Sequence, residues 1–199
     1  MIRTFDKNYS RSLNSLFIAQ AGVNRFIRVT EAINLANDLL QNPEFYYQVA
    51  AHPGFDRSDV SPEVIAGLLC ETQVKISVGL YYAKDAHRNI DIYDDLLDPS
   101  MVHLNIWTIN RSAASICNSI IHGCIHAVNA YNMHYEFSHS DGSPAANHNT
   151  APYWIGALAQ RIVAGDDTII LPLEHDPEPP VRTAKNASPA IADSIWLTF

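Results

Sequence analysis

From Ala113 to Val128 the apolar residues Ala114, Ile116, Cys117, Ile120, Ile121, Cys124, Ile125 and Val128 recur at intervals of three and four, the spacing of a helix face. Inside that run stands His122-Gly123-Cys124-Ile125-His126. Imidazoles four residues apart on a helix lie one turn apart on one face, near enough to share one zinc ion. A helix that is apolar around such a pair is a buried scaffold, so the remaining elements have to pack around it.

The rest of the chain is read against that helix. The apolar positions from Leu13 to Leu40 follow helical spacing and predict two helices split near Val29-Thr30, with Thr30 capping the second and Asn42-Pro43 halting it. His52-Pro53-Gly54-Phe55-Asp56-Arg57 has turn chemistry, and Ser61-Pro62-Glu63 opens a short helix to about Leu69. Val74 to Tyr82 and Val102 to Ile109 read as strands of one sheet, separated by an acidic loop from Asp91 to Asp98. After the histidine helix a polar segment, His134 to Asn149, leads to Thr150-Ala151-Pro152, which opens a helix to about Val163. A proline-rich tail follows, in which Ile195-Trp196-Leu197 is a candidate anchor. The expected architecture is α+β: one domain over residues 1–171, a small sheet packed on helices, and an extended tail over 172–199.

Composition narrows the partners. With 47% hydrophobic residues in 199, the chain has material for one sizeable core. A net charge of −8 without a basic cluster argues against nucleic acid and anionic membrane as partners. No run approaches the roughly 18 apolar residues of a membrane span, and the start lacks a secretory apolar stretch, so the expectation is a cytoplasmic protein or one exported without a cleaved signal. Three cysteines, Cys70, Cys117 and Cys124, make an odd set and are read as reduced. Cys124 and His126, two apart on a helix, do not face each other, which weakens a cysteine-hydrolase reading.

Ser119 to Ala130, with Phe137-Ser138-His139-Ser140-Asp141 and Asn149-Thr150-Ala151-Pro152-Tyr153-Trp154-Ile155-Gly156, resembles a bacterial zincin-type metallopeptidase domain. The resemblance covers roughly Val102 to Ala159 and implies a zincin-like fold, a Zn2+ cofactor held by His122 and His126, and peptide or protein as substrate or partner. It asks for a third donor after the helix. His139 is the expected one; His134 and His148 are rivals, and Asp141 offers a carboxylate. Asn129, one turn past His126, is a candidate to support a ligand or the loop, and Tyr153 a candidate oxyanion donor. The extended motif with a third histidine six residues after His126 is absent, since that position is Asn132.

The pattern also departs at its catalytic position. The residue after the first histidine is ordinarily glutamate, the general base, and here it is Gly123. Losing a general base costs about 10² to 10⁴ in rate. The sequence therefore points to a zinc metallopeptidase-like protein with impaired hydrolysis, or to a non-catalytic zinc-binding interaction module. Glu136, Asp141 and Glu71 are the carboxylates available as a substitute base.

Overall fold

Ser112 starts the histidine helix, its side-chain oxygen accepting from the Ser115 amide at 3.1 Å, and the helix, α4, runs Ala113–Tyr131. Every residue from Ser115 to Ile125 is buried, the polar Ser115, Asn118, Ser119 and His122 included, so α4 is central. The computed structural model describes residues 23–72, 75–82, 92–94, 99–139, 144–166 and 192–197. Before α4 come helices α1 (Val23–Leu39), α2 (Pro43–Ala50) and α3 (Pro62–Glu71), then strands β1 (Ser77–Tyr82), β2 (Ile92–Asp94) and β3 (Met101–Asn105). After it come the short α5 (Pro144–Asn147), α6 (Ala151–Ala164) and β4 (Ala192–Leu197).

The strands form one sheet in the order β2-β3-β1-β4. β1 and β3 are parallel, with Val78 opposite Val102 and Leu80 opposite Leu104, while β2 joins β3 and β4 joins β1 antiparallel. The buried side of this mixed sheet lies on α4, so helices and sheet share one core, an α+β arrangement. Two glycines on helices set the closest approaches. A Cβ on Gly123 would run into the side chain of Val102 on β3, and one on Gly156 of α6 into Asn118 of α4. α6 ends at Gly165, whose φ of 62° is the left-handed cap that favours glycine.

Several expectations change against this fold. The split at Thr30 does not occur: α1 runs straight through, and the Thr30 hydroxyl donates to the Phe26 carbonyl one turn back at 3.0 Å rather than capping. Asn42-Pro43 does stand after the end of α1, but it also starts α2, Asn42 accepting from the Glu44 amide at 3.0 Å. That helix has too short a period to be heard between two turn signals. The acidic loop contains β2, the rest of it lying outside the described residues, as does everything before Val23. Ile195-Trp196-Leu197 lies within β4, which pairs with β1, while the rest of the expected tail lies outside the described residues. Among the described residues no helix is long and apolar enough to cross a membrane.

Candidate metal site

His122 and His126 project from one face of α4, and the chain returns past them after a turn at 132–134. The returning segment brings His139 to meet them. The three Nε2 atoms stand 3.1 Å (His122 to His126), 3.2 Å (His122 to His139) and 3.0 Å (His126 to His139) apart, a nearly equilateral triangle. A neutral imidazole nitrogen carries either a proton or a lone pair. Three such atoms facing one another therefore cannot pair off: at least two are alike and repel. A cation accepting three lone pairs removes the conflict. His122, His126 and His139 would hold such an ion through their Nε2 atoms, a donor set that suits zinc. These histidines lie close enough to hold a metal ion.

The electrostatics favour the form that binds. Burial pushes the His122 ring well below the usual histidine range, with the His126 and His139 charges acting in the same direction. Burial and then His139 push His126 down to about 3. Both rings are neutral near pH 7, so a metal displaces no tightly held proton from them. Tyr153, from the first turn of α6, stands edge-on to two of the rings, its centroid 4.7 Å from His122 and 4.9 Å from His139. Trp154 packs against His52 and Phe55.

Two of the rival ligands stay outside the cluster. His134 is exposed and outside the cluster, and His148 is exposed with its Nδ1 on the Ala145 carbonyl at 2.9 Å. Asp141 lies outside the described residues. Of the carboxylates considered as a base, Glu71 is exposed on α3, and the exposed Glu136 carboxylate accepts from the Ser138 hydroxyl rather than joining the histidines. Gly123 faces β3, where Val102 takes the space a side chain would need. Cys117 and Cys124 are buried and their thiols are pushed up to about 12, first by burial, which keeps them protonated and inert.

Asn129 is buried, not solvent-facing, and supports the returning segment: its amide donates to the Tyr135 carbonyl at 2.7 Å and accepts from the Phe137 amide at 3.1 Å. The sequence reading missed the partner on the other side. Residues 54–59 form a strut along both ends of the loop that carries His139. Asp59 and Glu136 exchange bonds, the Glu136 amide donating to the Asp59 carboxylate at 2.8 Å and the Asp59 amide to the Glu136 carbonyl at 2.9 Å. Ser58 bridges Phe137, and Asp56 bridges Thr150 while its amide donates to the Asn149 carbonyl at 2.9 Å. The strut kinks at Arg57, a non-glycine residue at φ 56°. Its only sequence signal is the turn chemistry; nothing local points to partners some eighty residues away.

Comparison of the chain with protein-family models, with curated proteins and with solved structures gives no match. The geometry of the three histidines is thus the ground for a functional reading.

Proposed function

We propose that the chain is a zinc-binding protein of zincin-like metallopeptidase type, acting on peptide or protein, in which hydrolysis is impaired because position 123 supplies no base. The observation that carries the reading is the Nε2 triangle on a helix with histidines at i and i+4 and a third from the segment that follows. Three imidazole nitrogen donors is a ligand set used by catalytic zinc, which adds a water or substrate as the fourth ligand. A zinc ion bound there supplies Lewis acidity to a carbonyl oxygen and makes water more acidic. The chain's own contribution is to hold the three imidazoles convergent, and Tyr153, whose ring stands edge-on to two of them, is the candidate donor to developing negative charge. Among the described residues β2 is an edge strand touching α4, an edge on which an extended peptide can pair.

One observation favours the second reading, a zinc-binding interaction module. Gly123 packs so closely on Val102 that the helix has no room for a glutamate there without moving β3. Under this reading the ion fastens the His139 loop onto α4, and the surface around it recognises a partner.

The test is the metal content of protein purified without chelator, beside His126→Ala, followed by a peptide-hydrolysis assay of the zinc-loaded protein. One zinc per chain, lost in His126→Ala, is the expected result. Chain-free of metal in both forms sinks the proposal. Slow hydrolysis abolished by a chelator supports the enzyme, and bound zinc without hydrolysis supports the module.

A further inference from the structure

We infer that Asn129 is the positioning residue of the third ligand, fixing where His139 meets the helix-borne pair; this rests on the metal reading above. Residues 122, 126 and 129 are separated by four and three, so they form one stripe along α4. Asparagine is a poor choice for a buried helix position, because it favours non-helical conformations and its amide must be satisfied out of water. Here both ends of the amide are used, and on alternate residues of one segment: the Tyr135 carbonyl and the Phe137 amide. A carboxamide that donates to residue 135 and accepts from residue 137 does the work of a peptide group in a neighbouring strand. The partners also fix which way the amide points, since the Tyr135 carbonyl can only accept.

Residue 136 turns to the opposite side, where it exchanges bonds with Asp59. The segment 135–137 is thus gripped from two sides, by a helix side chain and by the strut. Phe137 goes fully into the core, and two residues later His139 reaches the histidine pair. A slip of one residue at this grip would turn His139 away from the other two rings. Asn129 therefore ties the register of the returning segment to the same helix that carries His122 and His126.

Substitution distinguishes this from general packing. Asn129→Asp keeps the shape and the acceptor toward Phe137 but opposes a carboxylate oxygen to the Tyr135 carbonyl, and Asn129→Ala removes both bonds without adding charge. The test measures zinc affinity by chelator competition and the visible spectrum of the Co2+-loaded protein for wild type, Asn129→Asp, Asn129→Ala, His139→Ala and the double variants. Zinc binding is expected to weaken about 10- to 100-fold in the Asn129 variants, their Co2+ spectra to move toward that of His139→Ala, and the Asn129 changes to cost nothing further once His139 is gone. If Asn129→Asp does not fold, Asn129→Ala carries the same comparison. Wild-type affinity in a folded Asn129 variant, or a loss that adds in full to that of His139→Ala, overturns the inference. Absence of zinc binding by the wild type overturns the metal reading instead.

Discussion

The two halves of the metal site are built in opposite ways. His122 and His126 are placed by one continuous helix whose geometry is set by local hydrogen bonds and by burial along its whole middle. His139 is placed by pieces remote from one another: Asn129 on α4, Asp59 and Ser58 in the strut, and the core that receives Phe137. The first half needs only the right residues at the right spacing. The second needs the tertiary structure to be complete before the ligand arrives, so its ligand is more easily displaced without unfolding the protein.

The sharpest way to break that contrast is Phe137→Ala. Phe137 is fully buried and anchors the returning segment two residues before His139. Truncating a buried phenylalanine costs about 3–5 kcal/mol, to be read as a lower midpoint in urea unfolding, and zinc affinity should fall along with it. Helix content over α4 should stay near that of the wild type once the protein is folded. A variant that loses the stability but binds zinc as before would show that His139 is placed by something other than its own segment.

The same contrast explains what could be read from the sequence. The α+β class, the strand pair β1 and β3, α4 with its histidines, and the start of α6 were all legible, because each depends on periodicity or capping within a dozen residues. His139 entered through a family resemblance and is the residue that joins the pair, whereas His134 and His148, just as close in sequence, stay out. The strut was legible only as turns, since its meaning lies in bonds to Glu136, Phe137 and Asn149. Thr30 misled because a threonine's hydroxyl can cap a helix or bond back within one, and only the packing of α1 along α4 decides. Gly123 was read as a missing base; its role as the contact point with Val102 needs the sheet in place.

Gly123→Ala probes the helix half with a smaller expected effect, and its sign is informative. Helix propensity alone predicts a gain of about 1 kcal/mol. The close approach of Val102 predicts the opposite, a loss of about 1–3 kcal/mol from overpacking, because a β-branched side chain on a central strand has little freedom to give way. Denaturant unfolding of this variant beside Gly123→Ala in a Val102→Ala background separates the two: removing the valine's methyls should relieve the alanine. A stabilised single variant would mean that β3 stands further from α4 than described, and would reopen position 123 to a glutamate.

Asp59→Ala gives the smallest effect and tests the grip from its exposed side. Asp59 and Asn129 bond the same short segment from opposite sides, but Asn129 is buried and Asp59 is exposed. When the Asp59 carboxylate is removed, water can take the Glu136 amide, and the backbone bond from the Asp59 amide to the Glu136 carbonyl needs no side chain. The loss should therefore be about 0.5–1.5 kcal/mol in denaturant unfolding, the net worth of an ordinary hydrogen bond. When the Asn129 carboxamide is removed, the Tyr135 carbonyl and Phe137 amide lose a partner on a side that water reaches poorly, and the register of the segment loses its tie to the helix. Zinc affinity should accordingly change much less in Asp59→Ala than in Asn129→Ala. Equal losses of affinity would place the control of His139 in the strut as much as in α4, and the site would then depend on residues 54–59 as directly as on its own helix.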